Sequence, residues 1–168
     1  MTPAKMDTIS QWIEKSQRCL EDRQFDFFIR HLPSAQHWRL YPDLMASCAF
    51  IDIETTGLDA WNAVITTIAL YDTDQIKYYV NGRNLDDFVK DIQQYDLIVT
   101  YNGKTFDLPF IESYFGTRME QVHIDLRYVL SSLGFKGGLK KCEKALGLDR
   151  GDLNGVDGFF AVLLWKDF

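Results

Sequence analysis

Asp52 and Glu54 stand two residues apart at the end of the apolar run Cys48-Ala49-Phe50-Ile51, just before Thr55-Thr56-Gly57. The run reads as a buried strand, rich in β-branched and aromatic side chains. Residues two apart on a strand share a face. Asp52 and Glu54 should therefore project side by side, with Ile51 and Ile53 facing the other way. Two adjacent carboxylates at a buried strand end repel each other and lose hydration. A divalent cation relieves both penalties, and hard oxygen ligands suit magnesium or manganese. The plain alternative is an exposed edge strand with two acids, but such a strand should carry more polar positions.

A second group of chemistry-bearing residues follows another apolar run, Leu97-Ile98-Val99-Thr100. It reads Tyr101-Asn102-Gly103-Lys104-Thr105-Phe106-Asp107-Leu108-Pro109-Phe110. Gly103 permits a sharp or left-handed turn. Pro109 is tolerated in the first turn of a helix, so a helix should begin near Asp107. Asp107 then lies where a strand ends and a helix starts, on the same rim as Asp52 and Glu54. Its competing role is an N-cap. Tyr101, Phe106 and Phe110 have rings that can stack on bases, core packing being the stronger expectation for Phe110. Asn102 can bond a nucleotide or tie the turn.

Three further groups carry weaker signals. His123 is a candidate to orient water, and Asp125, before Leu126, fits a helix cap. Lys140, Lys141 and Lys144 should face away from Leu139, Cys142 and Leu146 on one helix. With Lys136 and Arg150 they form either a solvated face or a phosphate-contacting patch. Gly137-Gly138 reads as a turn leading into that helix and lacks the pattern of a phosphate-binding loop.

The elements that must position these residues are legible in the spacing. Residues 1–46 read as a mostly helical extension packed on the domain, with Pro33 and Ser34 ending its second helix. Residues 47–168 form the domain proper. Strands are expected near 47–54, 62–71 and 75–80. Their short separations make them an antiparallel meander. Asn84 should cap a helix running to about 93. The strand 97–100, reached by a helical crossover, should lie parallel to the first strand at the sheet centre. Helices are expected near 107–115, 125–133, 138–146 and 157–167. The fold class is α/β, a mixed sheet flanked by helices.

Composition narrows the function. The 168 residues carry a net charge of −6, which argues against a general nucleic-acid coat protein but not against a nuclease whose acids hold metal. No apolar run approaches the ~20 residues of a membrane span, and no signal peptide is evident. The expectation is a soluble, cytoplasmic protein without a membrane partner. Cys19, Cys48 and Cys142 have no metal-like spacing and read as free or buried thiols.

Asp52-Ile53-Glu54-Thr55-Thr56-Gly57 resembles the first motif of the DEDD exonucleases, which have a ribonuclease-H-like fold. Tyr101-Asn102-Gly103-Lys104-Thr105-Phe106-Asp107 resembles their second motif, in the form seen in proofreading domains of family B DNA polymerases. The YprB-type group of ribonuclease-H-like domain proteins is also similar in Trp38-Arg39-Leu40-Tyr41 and in the ending with Arg150 and Asp157-Gly158. The resemblance covers about residues 37–168, and the first 36 residues contribute little to it. It implies a ribonuclease-H-like mixed five-stranded sheet, with three antiparallel strands plus parallel strands. It also implies 3′→5′ hydrolysis of phosphodiesters in DNA or RNA by two divalent ions, Mg²⁺ or Mn²⁺.

The implied catalytic and metal residues are Asp52, Glu54, Asp107 and, from the final helix, Asp157, with Asp152 as competitor. The implied substrate contacts are Thr55, Thr56, Tyr101, Asn102 and Phe106, to which the basic patch adds Lys140. The sequence departs from the family at one point. Most such exonucleases place a tyrosine four residues before the last aspartate, or a histidine five before it. Here those positions are Leu153 and Asp152. Two other expectations therefore stand beside the exonuclease. One is a catalytically weak nucleic-acid-binding module; the other is an endonuclease of the ribonuclease H kind. The sugar and strandedness of the nucleic acid are left open by the sequence.

Overall fold

β1 (Cys48–Thr55) is the strand on which the sheet is built. The computed structural model describes residues 2–59, 62–149 and 151. β2 (Ile65–Tyr71) lies antiparallel to β1, and β3 (Ile76–Val80) lies antiparallel to β2. β4 (Leu97–Thr100) runs parallel to β1, and β5 (Val122–Asp125) runs parallel to β4. The order is β3-β2-β1-β4-β5. The meander and the parallel β4 match the sequence reading. The central strand, however, is β1 rather than β4, because β5 adds outside β4 while the meander fills the other side.

All four residues of β4 are buried. A parallel strand of this kind needs cover on both faces. On one face Ile98 packs with Ala49, Ile51 and Ile53 against Phe88, Phe110 and Ile111. Phe88 belongs to α4 (Asp87–Asp91), and the latter two belong to α5 (Asp107–Phe115). On the other face Leu97 and Val99 pack with Val122 and Ile124 against Cys19, Phe28, Leu40 and Leu44. Those last four come from the N-terminal elements: α1 (Pro3–Glu21), α2 (Asp26–His31), a 3₁₀ stretch Ser34–Leu40 and α3 (Tyr41–Leu44). Residues before β1 thus supply half the cover of the parallel strands. No described helix is long and apolar enough to cross a membrane.

After β5 come α6 (Leu126–Ser132) and α7 (Leu139–Ala145). Three local expectations need correction. Asn84 does not cap α4, which begins three residues later. Its Oδ1 accepts the Val80 N–H at 2.9 Å, and its Nδ2 donates to the Tyr78 carbonyl at 3.0 Å. The carboxamide there satisfies a donor and an acceptor of the edge strand together, which a cap oxygen alone does not. On α7 only Cys142 is buried, while Leu139 and Leu146 are exposed, so this short helix is anchored at one point. The expected helix at 157–167 lies outside the described residues, together with Arg150, Asp152, Leu153 and Asp157.

The turn after β4 is the third correction. The left-handed residue is Asn102, at φ 70°, not Gly103. Asn tolerates that conformation better than most side chains. Gly103 is needed for space. Its N–H donates to Thr100 Oγ1 at 3.0 Å, and a Cβ there would stand 2.3 Å from the same oxygen. Thr100 is buried and cannot yield cheaply. Gly103→Ala should therefore destabilise the fold by about 1–3 kcal/mol, the usual cost of overpacking. A denaturant titration checks this.

Candidate active site

In an open α/β sheet, ligands bind outside the carboxyl ends of the strands, where the strand order reverses. Here the reversal lies between β1 and β4, since β2 and β3 build out one way and β5 the other. The register pairs Phe50 with Val99. Two residues on, Asp52 of β1 stands level with Tyr101, just past β4. Both line one cleft of about 670 Å³, with Asn102, Arg127, Ser131 and Lys136 among its other walls.

β1 alternates as expected. Ile51 and Ile53 enter the core, Asp52 is exposed and Glu54 is half-buried. The pairing with β2 slips between Glu54 and Thr55, a bulge at the strand end of the kind that re-aims side chains near active sites. Asp107 is the first residue of α5 and is buried, only 4% exposed. It is not the N-cap; that position belongs to Phe106. A carboxylate in a first helical turn still gains from the helix dipole.

Asp52 acts on both of the other acids. Burial, followed by the charge of Asp52, pushes the Asp107 carboxyl up to about 7. Glu54 is raised by burial and then by Asp52. Asp52 is raised by burial, opposed by a backbone hydrogen bond from Ile53. Asp52 touches solvent through the cleft, yet protein surrounds the rest of it, and that is enough to strip hydration. The set is hard and anionic, with Asp52 repelling the other two, and its chemistry suits a hard divalent cation. Among the described residues, no group of three or more His, Cys, Asp or Glu side chains is placed to hold a metal ion. Asp52, Glu54 and Asp107 do not by themselves make a metal site in this arrangement, and Asp157 lies outside the described residues.

Asp125 organises the rim. It caps α6 by accepting the Arg127 N–H at 3.0 Å. The same carboxylate accepts the Asn102 N–H at 2.8 Å and the Lys104 N–H at 3.1 Å. The cap expected from sequence is thus also the clamp on the turn after β4. Arg127 follows from this clamp: its guanidinium donates to Asn102 Oδ1, which also accepts from Thr105 Oγ1 at 3.0 Å. Sequence reasoning passed over Arg127. Its signal was the spacing Arg127–Ser131, one helical turn on the face beside the Asp125 cap.

The remaining predicted residues divide. Tyr101 lines the cleft, but its hydroxyl donates to the Gly137 carbonyl at 2.7 Å and ties down the segment before α7. Phe106 packs against the core beside Phe110, with ring centroids 5.7 Å apart. Thr55 Oγ1 donates to the Gly57 carbonyl at 2.6 Å. The Thr56 N–H donates to the Val64 carbonyl and Thr56 Oγ1 accepts the Val64 N–H, both at 3.0 Å. These threonines shape the turn out of β1. Lys140 is exposed on α7, and the lysine lining the cleft is Lys136. His123 faces elsewhere. Its Nε2 is 2.9 Å from Thr100 Oγ1, and it lines a different cleft. Burial pulls its pKa down to about 4, so it is neutral at physiological pH.

Residues 49–168 match a family model of the RNase_H superfamily. No curated protein matches the sequence. Among solved structures, the chain resembles the family B DNA polymerase from the hyperthermophilic archaeon Pyrobaculum calidifontis, with a TM-score of 0.56 and 19% identity. That similarity covers 71% of this chain and 21% of the polymerase. It also resembles the zinc-bound E. coli ExoI–ssDNA complex, with a TM-score of 0.51 and 14% identity, over 70% of this chain and 39% of that one. A structure described as the apo form of a nuclease gives a TM-score of 0.50 and 17% identity, over 76% of this chain and 63% of that one. The chain thus spans less than two thirds of each of these three, and at such identities the likeness is one of fold.

Asp107 binds its proton more tightly folded than unfolded, so its favourable contribution is complete below about pH 4 and is lost as pH rises toward 7. At about 1.4 kcal/mol per unit, the loss is of the order of a few kcal/mol. Without divalent ions, Asp107→Asn should be more stable than wild type above pH 7 and should lose part of the slope between pH 4 and 7. Millimolar Mg²⁺ or Mn²⁺ should stabilise wild type more than the variant. Thermal melts across pH measure both. Asp125→Asn sets an NH₂ against an N–H of the clamp and should cost about 1–3 kcal/mol by chemical denaturation.

Proposed function

The chain belongs to the ribonuclease H superfamily, and from that premise we propose that it is a metal-dependent 3′→5′ exonuclease acting on DNA or RNA. The fold is that of nuclease-type hydrolases. One observation carries the finer reading: at the strand-order reversal Asp52 lines a cleft with Arg127 and Lys136 on its walls, and its charge adds to burial in raising the proton affinity of Glu54 and Asp107. The closer likeness to the YprB-type group rests on Trp38-Arg39-Leu40-Tyr41 and the chain ending.

Asp52, Glu54, Asp107 and Asp157 would hold two Mg²⁺ or Mn²⁺ ions. Bound there, such ions supply an activated water and stabilise the leaving 3′ oxygen. The chain's own side chains do the rest. Arg127, steadied by Asn102, and Lys136 offer positive charge to the phosphate. Tyr101 keeps the cleft wall in place through Gly137. The site is desolvated enough to raise its own acids, so charges placed in it interact more strongly than in water.

A second reading, a catalytically weak nucleic-acid-binding module, is favoured by the position of His123. Leu153 and Asp152 occupy the places where relatives keep a water-orienting tyrosine or histidine, and His123 is bonded to Thr100 away from the Asp52 cleft. General acid–base help contributes about 10²–10⁴-fold, so its absence slows hydrolysis without abolishing it.

The test is a time course on 3′- and 5′-labelled single-stranded DNA and RNA with Mn²⁺. The expected result is stepwise release of nucleotides from the 3′ end, reduced at least ~100-fold by Asp52→Ala. Internal fragments would indicate an endonuclease. Tight binding without turnover would indicate the binding module.

A further inference from the structure

A second cleft, of about 430 Å³, lies on the far side of α6 from Asp52. α6 separates the two: Arg127 and Ser131 face the Asp52 cleft, and Tyr128 and Ser132 face the other. The clamped turn is divided in the same way, with Asn102 on the first side and Lys104 on the second. The opposite wall comes from Ser34–Arg39, ahead of β1.

Its chemistry differs from that of the first cleft. Trp38 and Tyr128 are 43% and 47% exposed, unusually open for large rings in a concave site. Each has a cation at its ring. The Arg39 guanidinium lies 4.5 Å from the Trp38 centroid, and Lys104 Nζ lies 5.8 Å from that of Tyr128. Both cations are held in place: Arg39 Nε donates to Gln36 Oε1 at 2.7 Å, and Lys104 Nζ donates to Ser34 Oγ at 2.8 Å. Neither forms an ion pair among the described residues. The one carboxylate in the lining, Asp125, is committed to three backbone N–H groups. In a chain of net charge −6, this is a local positive site with two open rings.

Open rings beside fixed cations suit alternating flat bases and phosphates, the pattern of single-stranded nucleic acid. We propose that the second cleft binds a single-stranded stretch of the substrate that crosses the Asn102–Lys104 turn from the Asp52 cleft. Its bases stack on Trp38 and Tyr128, and its phosphates meet Arg39 and Lys104. This rests on the nuclease reading for the source of the strand, but the binding itself is independent of cleavage. A dinucleotide is too short to engage both clefts.

The test separates the two ideas. Fluorescence anisotropy with labelled single strands of about 12 nucleotides reads binding in EDTA, where no cleavage occurs. Trp38→Ala and Tyr128→Ala should each weaken binding by roughly 5- to 150-fold, the range for one lost base–aromatic stack. Trp38→Phe should restore most of it. Lys104→Ala should lower the slope of log affinity against log salt by about 0.7, one phosphate contact. Hydrolysis of a dinucleotide with Mn²⁺ should not change in the Trp38 and Tyr128 variants. If these variants bind the longer strand as tightly as wild type, or if wild type does not bind it, the second cleft is not a nucleic-acid site, whatever the hydrolysis assay shows. If wild type fails to cleave but binding still depends on Trp38 and Tyr128, the cleft stands and the exonuclease reading falls.

Discussion

Burial of the carboxylates Asp52, Glu54 and Asp107, with the charge of Asp52 acting on the other two, is the constraint around which this structure is arranged. A strand end and a helix start bring the three together, and burial makes each harder to ionise. Domains of this size are stable by only about 5–15 kcal/mol, so such a group is affordable only inside a well-supported frame. The frame is β1 and β4, covered on one face by α4 and α5 and on the other by the N-terminal elements. A rigid sheet fixes where the charges stand, and the charges in turn create the demand for a cation.

The second constraint is Asp125. Its single carboxylate joins the turn after β4 to the start of α6 through three backbone donors. That link sets the left-handed Asn102, and Asn102 in turn holds Arg127 at the cleft. Thr100 contributes from below. Its Oγ1 receives the Gly103 N–H and sits against His123 Nε2, which leaves His123 a packing partner of the turn and not a facing group of the Asp52 cleft. One residue that reads as an ordinary cap thereby positions groups on two elements.

α6 gives the molecule two differently built faces. One joins Asp52 to Arg127 and Lys136; the other joins Trp38 and Tyr128 to Arg39 and Lys104. The 3₁₀ stretch before β1 forms part of the second wall, so the N-terminal region supplies surface as well as core cover. The net negative charge of the chain conceals this arrangement, because most acids lie elsewhere.

The sequence by itself determined the first four strands, the helices near 107–115, 125–133 and 138–146, and the acid-bearing strand end, but not β5. Strand periodicity placed Asp52 and Glu54 on one face and Ile51 and Ile53 on the other, and Pro109 marked the start of α5 at Asp107. These are local effects of backbone geometry, which a short window contains. Tertiary structure decided what depends on partners far along the chain. Asn84 served the edge strand instead of a helix, because Tyr78 and Val80 offered both a donor and an acceptor. Gly103 was required by the nearness of Thr100, not by handedness. Arg127 reached the cleft only because Asp125 and Asn102 hold their elements together. Burial and charge are sums over neighbours in space, so the raised proton affinity of Asp107 could not be read until β1 and α5 had met.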